Sequence, residues 1–396
     1  MALRPAPKIQ LLVVQPTPFC NIDCRYCYLP DRRSKAVVGD GTLANLFSQV
    51  FASGWLGEGL SVIWHAGEPM VLGPEFYRRA FRLIDRLKPP DFPIAHSFQT
   101  NGTLIDDAWC AFFTAEKVRV GVSVDGPQRF HDKNRVTRAG RGTFERTIAG
   151  IRRLRRHGVP FHVISVLTAE SLAAPAEMFD FYVREGIGEV CFNIEESEGA
   201  HVSETFGAAG VADAYYRFLG EFWRLSAAMP GKIAFIREVE HALQHVLRPD
   251  DAPFFNELVE PFAVVSMDCR GNISTFSPEL LGLKDPQYGD FIFGNINSDA
   301  LVDMARSPVL ARMLGDIAAG VAMCRESCEY FSVCGGGEPV NKLAENGAFA
   351  SAETTYCRVG KMQPIDLVLE ALERLRTTEP AHEAEAGSTA SMRRTG

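Results

Sequence analysis

The stretch Gln10-Leu-Leu-Val-Val-Gln-Pro16, followed by PFCNIDCRYCYLP at residues 18–30, decides how this chain is read. A short apolar run closed by a proline reads as a strand buried on both faces. Cys20, Cys24 and Cys27 therefore sit on the loop leaving that strand's C-terminal end, spaced C-x3-C-x2-C. Three thiolates on one short loop can hold three irons of a [4Fe–4S] cube and leave the fourth open. A catalytic metal centre requires such an open position, because a reactant must bind there. A structural zinc site instead closes with four ligands, commonly as two C-x2-4-C pairs. No fourth Cys or His lies within the next 30 residues. A disulfide framework suits short secreted chains, whereas this chain has 396 residues and starts MALRPAPKIQ, with no secretory apolar segment.

Size and composition fit an ordinary globular protein, with 46% hydrophobic and 23% charged residues. The length suits one large α/β domain plus a smaller one. No apolar run reaches the roughly 18 residues of a membrane span, and cytoplasm is the expected location, where thiols stay reduced. A net charge of −8 argues against broad nucleic-acid binding. The run Arg152, Arg153, Arg155, Arg156, His157 falls late in a predicted helix, where it reads as a solvated face complementing the helix dipole. A landing strip for an acidic peptide is the alternative.

Six β-then-α units precede residue 230. The predicted strands are Gln10–Pro16, Leu60–Ala66, Ala95–Thr100, Val118–Val124, Phe161–Leu167 and Glu189–Ile194, each rich in Val, Ile or Phe. The predicted helices are Thr42–Ser53, Pro74–Leu87, Asp106–Glu116, Thr143–His157, Ser171–Glu185 and Val211–Ala228. Thr42, Asp106 and Thr143 suit N-cap or first-turn positions and Pro74 suits a helix start. This alternation predicts an α/β fold with a parallel sheet curled toward a barrel, and six units rather than eight make it partial.

Barrels of this kind gather their chemistry on the loops after each strand. Those loops carry the cysteine triad, His65-Ala-Gly-Glu-Pro69, Gln99-Thr-Asn-Gly102, Ser123-Val-Asp-Gly126, Val166-Leu-Thr168 and Asn193-Ile-Glu-Glu196. Polar and glycine-containing segments thus fall at the same end of nearly every strand, which marks one face as a site.

Past residue 230 the pattern changes. A helical stretch at Glu238–Val246 leads to a hairpin turning at Arg-Gly-Asn, residues 270–272. Cys324, Cys328 and Cys334 then form C-x3-C-x5-C, with Cys357 following. Four converging thiolates suit a fully ligated second [4Fe–4S] cluster or a structural zinc, and the spacing leaves both open. Gly335-Gly-Gly337 lets backbone come close to such a group. Cys110 and Cys191 read as small core residues, and Cys269 as a free thiol or a ligand of an atypical site. The expected organisation is 8–230, 231–370 and a polar disordered tail at 376–396.

In order and interval these motifs resemble radical S-adenosylmethionine (radical SAM) enzymes over roughly residues 8–365. The C-terminal third resembles the SPASM extension of peptide maturases in that family. The resemblance implies a partial (β/α)6 TIM-like barrel with a C-terminal iron–sulfur extension. The SPASM pattern contains C-x2-C-x5-C-x3-C; here the first gap is three residues, and Glu338 stands where its last cysteine would be. One auxiliary [4Fe–4S] cluster on Cys324, Cys328, Cys334 and Cys357 is therefore expected. FSPELLG at 276–282, CGGGEPVNKLAENGAF at 334–349 and Tyr356-Cys357 most resemble maturases that build three-residue cyclophanes in glycine-rich-repeat precursors. Anaerobic sulfatase maturases are the neighbouring relatives and typically carry two auxiliary clusters.

By position, the resemblance implies a SAM site. Tyr26 lies inside the last cysteine pair, and Ala66, Gly67 and Glu68 stand at the family's GGEP motif, with Ala66 replacing its first Gly; the motif's backbone and Glu hold the SAM amino group. Ser123 and Asp125 match residues near the ribose, Arg135 one that faces the SAM carboxylate, Thr100 and Asn101 the mouth, and Leu167 a residue against adenine. Read as residues alone, Ser123-Val-Asp-Gly126 can also be a plain turn and Glu68-Pro69 a helix start.

The implied chemistry is reductive SAM cleavage, hydrogen removal from a side-chain Cβ of a precursor peptide, and attack on an aromatic ring two positions earlier. A flavodoxin- or ferredoxin-type donor would supply the electron. Candidate bases for the ring proton are Glu195, Glu196, Glu198 and Glu338. The alternatives are sulfatase-type formylglycine formation, thioether formation, epimerisation, or a non-catalytic metal-binding peptide scaffold.

Overall fold

The computed structural model describes residues 8–197, 201, 203–249 and 255–378. Its strands are β1 (Ile9–Val14), β2 (Leu56–Trp64), β3 (Ile94–Thr100), β4 (Arg119–Ser123), β5 (Phe161–Leu167), β6 (Glu189–Ile194), β7 (Phe235–Ile236), β8 (Val264–Met267), β9 (Asn272–Thr275) and β10 (Gly294–Asn295). They form one ten-stranded sheet in the order β10-β9-β8-β1-β2-β3-β4-β5-β6-β7. From β1 to β7 each strand is parallel to the next. Parallel neighbours need crossovers, so a helix follows nearly every strand and all C-terminal strand ends open on one side. The six expected βα units lie where their periodicity placed them. β7 adds a seventh strand, too short to stand out in the sequence.

Two features differ from the sequence reading. The helix expected over Ser171–Glu185 is two, Ala169–Leu172 and Pro175–Glu185. Pro175 bars the helical conformation at the residue before it, and Ala174 accordingly sits at φ −132°, ψ 50°. The predicted C-terminal hairpin, β8 and β9, does not stand apart from the parallel strands. β8 runs parallel to β1, from Leu11 opposite Val264 to Val14 opposite Met267, and carries the sheet past its first strand. Pairing at this sequence separation leaves no local mark. The helix Gln363–Thr378 passes residue 376, where the tail was expected to begin; residues 379–396 lie outside the described residues.

Local chemistry fixes the helix ends. Asp106 caps its helix by accepting from the Trp109 amide at 2.9 Å, and Pro74 opens its own as the first residue. Thr143 occupies an N-cap position but spends its hydroxyl on the Arg135 carbonyl at 2.8 Å, tying that loop down. Outer helices pack on the sheet through an aromatic layer in which Trp64, Tyr77, Phe98 and Phe112 meet edge to face or tilted. Such contacts add about 0.5–1.5 kcal/mol each beyond burial.

Gly150 shows how tightly one helix sits against the site loops. A Cβ there would lie 2.4 Å from the Gly102 carbonyl oxygen and 3.1 Å from Ile105 Cβ. Helix propensity alone would favour alanine by about 1 kcal/mol. The backbone collision outweighs this, so Gly150→Ala is expected to destabilise by roughly 1–3 kcal/mol. Urea denaturation of the two proteins checks it, and a stabilised variant would contradict this packing.

Candidate functional site

The cysteine loop is anchored from three sides. The Cys20 amide donates to the Arg32 carbonyl (3.1 Å), that of Asp23 to Val136 (2.7 Å) and that of Arg25 to Asn134 (3.0 Å). Arg138 donates to the Cys20 carbonyl at 2.7 Å, and Arg32 to that of Cys24 at 3.2 Å. The three thiols lie close enough that charge on Cys24 or Cys27 acts on Cys20. Burial, and then Glu68, pushes the Cys20 thiol up to about 12; burial brings Cys24 to about 11. Thiols that resist ionisation in the bare protein become thiolates when a metal supplies the missing positive charge. This donor set, with Arg135 Nη1 at 4.0 Å and Asn101 Nδ2 at 3.8 Å from two of its sulfurs, suits an iron–sulfur group.

The loop after β2 is fitted against the same segment. Gly67 has φ +107°, and a Cβ there would lie 2.3 Å from the Thr17 carbonyl oxygen. The Glu68 amide donates to the Phe19 carbonyl at 2.8 Å. The Glu68 side chain, 1% exposed, accepts from the Met70 amide (3.0 Å), the Thr100 hydroxyl (2.8 Å) and the Asn101 amide (2.9 Å). Its carboxylate thus first ties β2 to β3, and an ammonium would have to share oxygens already in use. Burial lifts its pKa to about 7 despite these donors.

Asp125 and Arg135 also meet. Arg135 donates to both Asp125 oxygens at 3.0 Å, the Tyr26 hydroxyl donates to Asp125, and the Val166 amide adds a contact at 3.0 Å. Ser123 accepts from Gln99 at 2.9 Å. Leu167 differs from its expected place: it is fully buried, on the β5 face shared with Val163 and Ser165. Strand alternation puts Ile164 and Val166 on the cavity instead.

That cavity, of about 510 Å³, is walled by Cys24 and Cys27 at the triad, by Tyr26, Ser123 and Arg135, and farther along by a group of carboxylates. Glu195 lines the cavity and is engaged by His201 at 2.9 Å and by Thr205. Glu196 accepts from Asn341 at 2.6 Å, and Glu338 pairs with Lys361 at 3.0 Å. Glu198 lies outside the described residues. Glu279 joins them, held by the Ser277 hydroxyl, and sequence reading passed over it. Phe276 just before it takes φ +75°, a left-handed conformation costly for a bulky residue, which turns the segment toward the cavity. Burial, and then the Glu338 charge, holds the carboxyls of Glu196 and Glu279 well above the ordinary range.

Beyond Lys361 lies a second cavity, of about 540 Å³, lined by Cys324, Cys328, Cys334 and Cys357 and by Lys361 itself. Cys357 starts a single stretch of π-helix, Cys357–Met362. A Cβ on Gly337 would lie 3.4 Å from Cys357 Sγ, so backbone does approach this site. Cys269 is buried near Asp268 and Arg270 and does not line the cavity. Among the described residues no three His, Cys, Asp or Glu side chains converge on one metal-ion position. The basic run of residues 152–157 is pinned by neighbours: Arg152 pairs with Glu185 at 2.9 Å and His157 meets Asp107 at 2.9 Å. Among the described residues no helix is long and apolar enough to cross a membrane.

Comparison with known proteins adds to this geometry. Residues 14–182 match the profile of the radical SAM superfamily. The chain is 42% identical over 367 residues to the uncharacterised protein sll1766 of Synechocystis sp., covering 92% of each. It is 34% identical over 209 residues to the serine-type anaerobic sulfatase-maturating enzyme of Klebsiella aerogenes, 52% of this chain and 51% of that one. Among solved structures, native anSMEcpe with bound AdoMet and Cp18Cys peptide superposes with a TM-score of 0.75 at 19% identity, over 94% of this chain and 99% of that one.

The buried titratable groups predict a pH dependence. His65, His96, His131 and His162 are pushed down to about 4 by burial, so their effect on stability is complete above about pH 6.5. Above that pH the raised carboxyls of Glu68, Glu196 and Glu279 dominate. They hold protons in the folded chain that the unfolded chain has released, so stability falls as pH rises. Denaturation of the metal-free chain should show a loss of about 1–3 kcal/mol from about pH 6.5 to about pH 8, and Glu279→Gln should flatten it. A stability that rises over this window would refute the assignment.

Proposed function

The chain belongs to the radical SAM superfamily, and we propose that it matures a ribosomally made precursor peptide by joining an aromatic ring to the Cβ of a residue two positions later. As a radical SAM enzyme it uses a [4Fe–4S] cluster and SAM. In the proposed site Cys20, Cys24 and Cys27 hold that cluster. Tyr26, the Ala66–Glu68 loop, Thr100, Asn101, Ser123, Asp125 and Arg135 frame the SAM pocket. With SAM bound and an electron delivered, here by a flavodoxin- or ferredoxin-type donor, the group supplies a 5′-deoxyadenosyl radical.

The observation that carries the reading is the continuity of the site. One cavity runs from the cysteine triad to Glu338 and Lys361, and Lys361 also walls the cavity of the other four cysteines. A peptide side chain in the first cavity would lie between a radical source and an electron acceptor. We assign the four cysteines to one auxiliary [4Fe–4S] cluster. They surround a single space without converging on one ion, and in a cluster each iron takes its own thiolate.

Crosslinking removes one hydrogen atom from Cβ, forms the C–C bond, and then releases one electron and one proton from the ring. The chain's part is to exclude water, align the two residues and take the proton. Glu196 and Glu279 suit the last task, since carboxyls raised toward neutrality are better bases than exposed ones; Glu338 lines the same cavity, paired with Lys361. A second reading, oxidation of a protein side chain to an aldehyde, is favoured by the likeness to the Klebsiella sulfatase-maturating enzyme. The match spans about half of that enzyme's length.

Anaerobic reconstitution with SAM, reductant and a co-expressed precursor from a neighbouring reading frame tests the proposal. The expected product lacks two hydrogens per crosslink and does not react with a hydrazide. An aldehyde of equal mass would react, and would move the assignment to the second reading. Cys24→Ala is expected to reduce 5′-deoxyadenosine to background, and a variant that still cleaves SAM would remove the cluster assignment. Glu279→Gln should keep 5′-deoxyadenosine formation while lowering crosslinked peptide by about a hundredfold, the usual scale of a lost base.

A further inference from the structure

Lys342 is buried to 2% exposure on the helix Pro339–Asn346, behind the four-cysteine cavity. Its ammonium donates to Cys324 Sγ at 3.2 Å. Its Cε flanks Gly337, whose absent side chain also leaves room for Cys357 Sγ. Among the described residues it has no carboxylate within ion-pair distance. The other lysine of this region, the half-buried Lys361, is neutralised by Glu338 at 3.0 Å. A buried ammonium without a counter-charge is costly, so its partner must be the anion at the cysteine site.

We propose that Lys342 raises the reduction potential of the auxiliary cluster by placing an uncompensated positive charge against one of its thiolates. The inference rests on the reading that Cys324, Cys328, Cys334 and Cys357 hold a [4Fe–4S] group. Reduction adds negative charge to such a group, and a fixed cation hydrogen-bonded to a ligand sulfur stabilises the reduced form more than the oxidised one. Net charge and hydrogen bonds to sulfur are among the levers that set cluster potentials. The result is a better electron acceptor behind the peptide cavity. Lys342 touches no substrate in this account; it is a positioning residue that acts through Cys324.

The test uses the full-length chain with Cys20, Cys24 and Cys27 replaced by Ala, so that only the auxiliary cluster remains, equilibrated anaerobically with redox dyes. At the potential where the parent is half reduced, Lys342→Gln should show at least a tenfold lower reduced-to-oxidised ratio, about 59 mV for a one-electron couple. Lys342→Arg, which keeps the charge, should return to within about threefold of the parent. An unchanged ratio in Lys342→Gln overturns the inference, as does an Arg variant that behaves like the Gln one. Loss of iron from either variant overturns it too, since the lysine would then serve assembly. A parent with no iron–sulfur spectrum removes the cluster reading itself, and this inference with it.

Discussion

The site depends on one close approach of two loops. Gly67 passes so near the Thr17 carbonyl that no side chain fits between them, and the next amide, of Glu68, bonds the Phe19 carbonyl. The cysteine loop is thereby pressed against the end of β2. Glu68 carries the constraint one strand farther, because its buried carboxylate collects the Thr100 hydroxyl and the Asn101 amide from the end of β3. Asn101 in turn reaches back to Asn21 at 2.8 Å, inside the cysteine loop. Three strand ends are locked by backbone and one carboxylate, so the triad has a defined place before any metal binds. A buried carboxylate is an expensive clamp, and the lifted pKa of Glu68 measures how incompletely its donors offset desolvation.

The far end of the cavity follows a different electrostatic logic. Glu196, Glu279 and Glu338 come from the loop after β6, the segment after β9 and the start of a C-terminal helix. They converge because β8 and β9 extend the sheet beyond β1 and bring the C-terminal third to the same cavity. Lys361 compensates Glu338 directly, yet Glu338 still raises the other two carboxyls. Packing alone would have selected apolar residues there, since isolated buried charges lower stability. Retaining the charge makes chemical sense where a proton must be accepted away from water.

Much of this was legible in the sequence, because the signals are local. Six strands and their helices announce themselves by apolar runs, caps and prolines, and the cysteines by spacing. The failures share one cause, which is that they turn on tertiary placement. Leu167 looked available because the loop after β5 begins there, but the alternation of β5 assigns it to the opposite face. Glu195 looked as free as Glu196 until folding brought His201 and Thr205 to it. Glu279 stood inside a motif already singled out, yet its role depends on Glu338, 59 positions away by their numbers in the chain. The union of β8 with β1 spans some 250 residues and has no local trace.

Two lysines, buried Lys342 and half-buried Lys361, divide the C-terminal site between them. Lys361 lines both cavities and is paired with Glu338 at 3.0 Å. Lys342 donates to Cys324, and among the described residues it has no carboxylate within ion-pair distance. Both contact Glu338, which stands where a further cysteine was expected: Lys361 pairs with its side chain, and Lys342 donates its backbone amide to the Glu338 carbonyl at 3.2 Å. Glu338 thus holds Lys361 through its carboxylate and the helix bearing Lys342 through its backbone. In the proposed arrangement of one auxiliary cluster, the Glu338–Lys361 pair then stands as a charged partition between the peptide cavity and the cavity of the four cysteines.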